Sequence, residues 1–193
     1  MIRTSFIIWA LMLVTWCAMR YPAMRRARRQ KTRVDRRSTL DISLLVTCTF
    51  GLVVMPIVWR LGIFDGFADR AQGIVLAILG TLTGIAFLWL FRRSHKDLGK
   101  NWSVTLEVRE GHQLVTGGVY AHVRHPMYAS FLLWGITQAL LIPNWIAGLA
   151  GLVAVMALYA VRQSREEAMM RDTFGAEYDA YCARTKRLIP GVF

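Results

Sequence analysis

The chain reads as an all-α integral membrane protein with about five transmembrane helices and a C-terminal helical hairpin. Three observations lead there. Hydrophobic residues make up 55% of the 193, and mean hydropathy is positive at +0.37. Apolar stretches recur at residues 5–19, 42–59, 73–91, 127–142 and 145–161. The cations are not scattered: nine Lys and Arg fall in 20–37, six in 92–124 and six in 162–187, leaving Arg3, Arg60 and Arg70 elsewhere.

A spanning helix needs about 20 apolar residues, with a range of about 17–25. The second and third stretches meet this, and the first needs its flanks. One Arg precedes that first stretch and nine basic residues follow it, opposite to a secretory signal, so an uncleaved helix is expected. Thr15, Ser43, Thr47, Thr49 and Gly51 permit close helix packing. Pro56 is expected to kink the second helix, and Gly80 and Gly84 make a small-xxx-small packing face on the third. Only Pro143-Asn144 separates the last two stretches. They are expected to form an antiparallel hairpin whose tip stops short of the far head groups.

With five spans the three basic blocks share one side, and basic loops stay cytoplasmic. The N-terminus is therefore expected outside, and the 20–39 loop, the 92–123 segment and the tail in the cytosol. The net charge of +12 comes largely from those blocks. The run from Arg25 to Arg33 sets topology and touches anionic membrane lipids, at about 1 kcal/mol per basic residue. No aromatic residues interleave with it, so nucleic acid is not an expected partner. Cys17, Cys48 and Cys182 lack metal-ligand spacing, and no metal site is expected.

Two regions follow: residues 1–91, the N-terminal transmembrane helices with their basic loop at 20–39, and residues 92–193, carrying the chemistry. Residues 103–108 alternate polar and apolar, the only plausible extended structure between 92 and 123. A turn at Glu110-Gly111, the run Gln113-Leu114-Val115-Thr116 and the flexible Gly117-Gly118 come next. A connection of this length is expected to carry function or local structure. After Val161 the helical pattern leaves the membrane and runs to about Phe174. It resumes from Ala176 to Arg184 with Tyr178 and Tyr181 on one face.

The chemistry concentrates in two clusters. In Arg124-His125-Pro126-Met127-Tyr128, Pro126 marks a helix start, where its missing N–H costs nothing. The free amides and partial positive charge of that helix end suit an anion, and Arg124 adds a fork-shaped cation. The hairpin returns Arg162 and Glu166-Glu167 beside them, with Arg162 and Glu166 at i, i+4. Ionisable groups at a membrane mouth are functional candidates by default. Arg124, Arg162, Glu166 and Glu167 together suit a zwitterion, its carboxylate on arginine or helix amides and its ammonium on glutamate. The bland alternative is a set of interfacial anchors and a solvated salt bridge.

The segment His112 to Tyr120, Arg124-His125-Pro126-Met127-Tyr128, Arg162, Glu166-Glu167 and the tail from Phe174 to Tyr181 resemble the isoprenylcysteine carboxyl methyltransferase family. The resemblance covers residues 98–190, with Ser130 where the family often has glycine. It implies an integral membrane enzyme that uses S-adenosyl-L-methionine without a Rossmann fold. By that resemblance His112, Gln113, Leu114, Val115, Tyr120, His125, Pro126, Met127, Tyr128 and Glu166 line a cytosolic methyl-donor pocket. Arg162 meets the acceptor, whose lipid part enters from the bilayer between helices.

The expected activity is therefore methylation of the carboxylate of an isoprenylcysteine-like or other lipophilic acceptor, with Arg162, Arg124 and Glu167 as the candidate catalytic residues. Methyl transfer to a carboxylate needs alignment more than proton removal, since the acceptor is ionised at pH 7. Three alternatives stand beside it. A phospholipid amine acceptor needs a glutamate or histidine base. A non-catalytic binding or scaffold protein would keep the hairpin without the chemistry. A nicotinamide-dependent lipid reductase would need Arg92, Arg93 and Lys96 for phosphate.

Overall fold

The computed structural model describes residues 2–27, 32–35, 38–63, 66–103, 107–109, 111 and 113–192; for 32–35, 100 and 107–109 it describes the backbone alone. Helix dominates. Helix α1 spans Ile2–Ala27, α2 Thr39–Thr49, α3 Met55–Arg60, α4 Ile74–Leu98, α5 Pro126–Leu141, α6 Trp145–Phe174 and α7 Ala176–Arg184. Four spans are long and apolar enough to cross a membrane: Ile2–Ala27, Thr39–Arg60, Ile74–Leu98 and Trp145–Phe174. Their outward faces carry Leu11, Val46, Leu82, Trp89 and Val153, each more than half exposed, which suits lipid as solvent. The chain is a multi-pass membrane protein.

Helix α5 is the exception in length. Its 16 residues extend about 24 Å at 1.5 Å per residue, against a hydrocarbon core of about 30 Å. A helix that ends early leaves carbonyls that lipid cannot satisfy. Arg70 supplies the donors: its guanidinium reaches the carbonyls of Ala139, Leu140 (3.0 Å) and Ile142 (3.3 Å), and Gln72 Nε2 donates to Leu140 O at 3.2 Å. Asn144 caps α6 by accepting from Ala147 N at 2.9 Å, while its Nδ2 donates to Asp69 at 2.8 Å. The hairpin tip is thus tied to the loop before α4.

The expected proline kink takes another form. Residues Phe50–Val54 are a π-helical turn between α2 and α3, and Pro56 sits in the first turn of α3. The extra residue in that turn accommodates the N–H that proline lacks. Gly51 lies there against the backbone of α6, where an added Cβ would stand 2.7 Å from Ala150 O. Gln138, fully buried on α5, donates to Gly51 O at 2.8 Å and to Ala147 O at 2.7 Å. Gly80 and Gly84 are buried on α4, where a Cβ would press on Leu141 and Met12, so the small-residue face is a packing face. Trp9, Phe87, Phe91 and Trp134 centre the core, with Phe87 and Trp134 rings 4.8 Å apart.

Two further departures bear on the site. Helix α4 does not stop at Phe91 but continues to Leu98, carrying Ser94, His95 and Asp97. Of the segment 103–108 expected to be extended, residues 104–106 lie outside the described residues. Strand β2 (Glu107–Arg109) pairs with an antiparallel partner β1 (Thr32–Asp35) in the basic loop, and Val123 forms an isolated bridge. Residues Gln113 to Thr116 form no strand. A strand in the basic loop escaped the sequence reading because Val34 is the one apolar residue of its four.

Candidate active site

Helix α5 begins where the sequence placed it. Pro126 is its first residue and His125 its N-cap, with no side-chain cap of its own. The chain's C-terminal tail supplies partners there instead. Arg124 N donates to Lys186 O at 2.7 Å and His125 N to Arg187 O at 2.9 Å, beside a parallel bridge between Val123 and Lys186. The Arg124 guanidinium reaches Cys182 O at 3.3 Å and also Thr185 O. Tyr181 donates its hydroxyl to Tyr120 O at 2.6 Å. Tail and α5 entry are one unit.

Helix α6 brings the second cluster across. Tyr128 donates its hydroxyl to Glu166 Oε2 at 2.9 Å. His125 stands between both glutamates, Nε2 3.2 Å from Glu167 Oε1 and Nδ1 4.0 Å from Glu166 Oε1. The two carboxylates differ sharply in setting. Glu166 is a third exposed, whereas Glu167 is 2% exposed and surrounded by Arg124 (3.3 Å), Arg187 (3.2 Å) and Arg171 (3.8 Å). The hydrogen bond to Glu167, ahead of charge attraction, holds the Arg187 guanidinium more firmly protonated than usual.

A cavity of about 430 Å³ lies in front of these groups. Its lining runs along α6 from Met170 to Val155, about 22 Å at the helical rise. One end is polar, with Arg124, His125, Arg162 and Glu166. The other is apolar, with Leu45, Leu52, Val53, Val155 and Leu158. Arg162 is 6% exposed on this wall. Tyr120 is buried here, and burial with the nearby Glu166 carboxylate pushes its phenol well above the ordinary value. Burial likewise pushes Tyr181 up to about 12. Both are neutral hydroxyls at physiological pH.

The end of α4 and the connection after it contribute to the lining. Leu98, Asn101, Trp102, Gln113, Leu114 and Val115 all line the cavity. Gln113 N donates to Asn101 Oδ1 at 3.2 Å and Val119 N to Asp97 Oδ2 at 2.9 Å. Gly118 has φ +63, and an added Cβ would run into the Asp97 carboxylate. The second of the two glycines read as flexible is therefore held close against Asp97.

Most of the sequence-marked residues come together here. Gln113, Leu114, Val115, Tyr120, Arg124, His125, Pro126, Met127, Tyr128, Arg162 and Glu166 line one cavity. Two do not take that place. His112 lies outside the described residues. Glu167, expected among the catalytic residues, is not in the lining: it sits behind Arg124 and His125, because burial among cations is where a carboxylate satisfies most donors. Sequence reasoning missed Trp16 and Arg20 of α1, Cys48 and Leu52 of the second span, Trp102, and the faces of Tyr178 and Tyr181. The i, i+4 pair Trp16/Arg20 and the i, i+3 tyrosines carried a faint signal.

Fold and cavity together define a multi-pass helical membrane protein with an elongated site, charged at one end and apolar at the other. Residues 77–172, about half of the chain, match the model of the isoprenylcysteine carboxyl methyltransferase (ICMT) family, and the chain belongs to that family. It is 31% identical to protein-S-isoprenylcysteine O-methyltransferase B of Arabidopsis thaliana over 122 residues, 62% of this chain and 58% of the relative. Against the human protein-S-isoprenylcysteine O-methyltransferase it is 31% identical over 117 residues, 60% of this chain and 41% of the relative. The matches thus span less than two thirds of these curated relatives. A solved structure of the eukaryotic intramembrane Ras methyltransferase ICMT shares the fold, with a TM-score of 0.55 and 24% identity over 82% of this chain and 55% of that one.

Proposed function

We propose that this chain is a membrane methyltransferase that uses S-adenosylmethionine to methylate the carboxylate of a lipophilic, isoprenylcysteine-like acceptor. The observation that carries the reading is one cavity joining a zwitterion-matched end to an apolar arm. Family membership and the named activity of the relatives support it.

The side chains present fit the donor. Glu166, partly exposed and oriented by Tyr128, matches an ammonium. The α5 entry, flanked by Arg124, matches a carboxylate. Leu114, Val115, Met127 and the ring of Tyr128 offer apolar and aromatic surface for a base. When bound, the donor supplies an electrophilic methyl group on sulfur.

Everything else is positioning. Arg162 holds the acceptor carboxylate in its planar fork, and Leu52, Val155 and Leu158 take the lipid part from the bilayer side. No proton has to be removed from a carboxylate at pH 7, so the site needs orientation and exclusion of water rather than a base. The basic blocks put the mouth on the cytosolic side and the N-terminus outside.

The test is incubation of the purified protein with methyl-labelled donor and a panel of S-prenylcysteines, lipid acids and aminophospholipids. Label that alkali releases as methanol identifies a methyl ester and supports the reading. Alkali-stable label in an aminophospholipid assigns N-methylation instead. No transfer to any acceptor, with no binding of the donor, would leave a non-catalytic binding protein.

A further inference from the structure

Arg20 is the one charged cavity residue contributed by α1, and it lies outside the segment that matches the family model. Its guanidinium carbon stands 5.3 Å from the Trp16 ring centroid and 5.7 Å from that of Trp102, and both indoles line the cavity with it. Trp102 is held in place from behind, its ring 4.7 Å from His95, whose own ring packs tilted 4.2 Å from Phe91. Indole faces attract a guanidinium without neutralising it. Among the described residues no carboxylate comes within ion-pair distance of Arg20, whereas Arg124 has Glu167 at 3.3 Å.

The charge around the cavity is therefore unbalanced. Among the described residues, Arg20, Arg124 and Arg162 line it with one carboxylate, Glu166. Counting Glu167 behind Arg124, the described residues around the cavity carry one cation in excess. A donor bearing one net positive charge increases the excess. A low-dielectric chamber in that state repels a cationic head group and attracts an anionic one.

We propose that Arg20 is a specificity residue of this site: it selects acceptors whose head group is anionic over neutral or cationic ones of the same shape. The assignment rests on the methyl-transfer reading above and adds to it a second cation, from a helix with no family motif. Arg162 aligns the carboxylate for reaction; Arg20 decides which head groups enter.

The experiment measures competition at the site. N-acetyl-S-farnesylcysteine and its primary amide differ by one charge and little in shape. Calorimetry with S-adenosylhomocysteine present gives their affinity ratio for the wild type, Arg20→Gln and Arg20→Lys. The wild type is expected to prefer the carboxylate at least tenfold, Arg20→Gln to lose most of that preference, and Arg20→Lys to keep most of it. Affinity for S-adenosylhomocysteine alone should stay within about twofold in all three, which also reports an intact fold. An undiminished preference in Arg20→Gln, with donor-product binding intact, overturns the assignment and makes Arg20 a snorkelling anchor. Failure of the wild type to bind S-adenosylhomocysteine overturns the methyl-transfer reading itself.

Discussion

The hydroxyl of Tyr128 donates to Glu166 Oε2 at 2.9 Å, a bond from the first turn of α5 to α6 across the cavity wall. It fixes the direction of the carboxylate proposed to meet the donor's ammonium. Hydrogen bonds to charged groups contribute about 1.5–3 kcal/mol. Tyr128→Phe removes the hydroxyl and keeps the ring. It is expected to weaken S-adenosylhomocysteine binding about threefold to tenfold by calorimetry, with a loss of thermal stability no larger than that bond contributes. Equal affinity in the variant would separate the bond from donor recognition.

Gly118 bears on the loop over the mouth. A side chain there meets both a left-handed backbone, φ +63, and the Asp97 carboxylate that accepts from Val119 N. The left-handed conformation alone costs an L-residue about 1–2 kcal/mol. Gly118→Ala is expected to displace the 113–121 segment and weaken S-adenosylhomocysteine binding about tenfold. Hydrogen exchange on the wild type should show new protection at 113–120 when the donor product is added. Absence of that protection would contradict a covering role for the segment.

Glu167 joins the tail to the site entry through Arg124, His125 and Arg187. Removing one partner of a buried charge cluster costs roughly 3–5 kcal/mol, and the partial exposure of Arg187 and Arg171 argues for the lower end. Glu167→Gln is expected to lower the unfolding temperature in detergent markedly and to expose the chain near Arg184 to trypsin. A variant as stable and as protease-resistant as the wild type would contradict this hub.

At the opposite end, hydrogen bonds from Asn144 and then Trp59 hold the Asp69 carboxyl below its ordinary value. A folded-state pKa below the unfolded one means stabilisation that is complete above the ordinary carboxylate value, about 3.9, and lost as pH falls through the depressed one. Asp69→Asn should therefore be less stable than the wild type at pH 7. The gap should shrink as pH drops below about 4. A gap independent of pH would show that charge on Asp69 is not what holds the loop.

Much of this was legible in the chain because membrane constraints write long apolar runs and segregate cations. The apolar runs marked the membrane helices, four of which have spanning length, and the hairpin at Pro143-Asn144 that brings residues 124–128 beside 162–166. The placing of residues 113–120 came from the family resemblance. What stayed hidden depends on close three-dimensional contact. The π-helical turn before Pro56 holds Gly51 against Ala150 of α6. Arg70 looked like a stray cation and in fact satisfies the carbonyls of a helix too short for the bilayer. Adjacent glutamates look alike in sequence, yet a 100° step around α6 puts Glu166 on the cavity and Glu167 among arginines. Arg20 and Trp16 face the site only because α1 packs there.

The central claim is that two residues one helical turn apart on α6 have separate tasks, Glu166 on the donor and Arg162 on the acceptor. Measuring S-adenosylhomocysteine affinity and methyl-transfer turnover side by side for the wild type, Glu166→Gln and Arg162→Lys tests it most directly. Glu166→Gln should weaken donor-product binding about tenfold or more, the scale of a charged hydrogen bond. Arg162→Lys should keep that affinity within about threefold and lose most turnover, because a lysine cannot supply the planar fork. Equal and small effects from both substitutions, as an exposed i, i+4 ion pair of about 0.3–0.5 kcal/mol would give, would contradict the account.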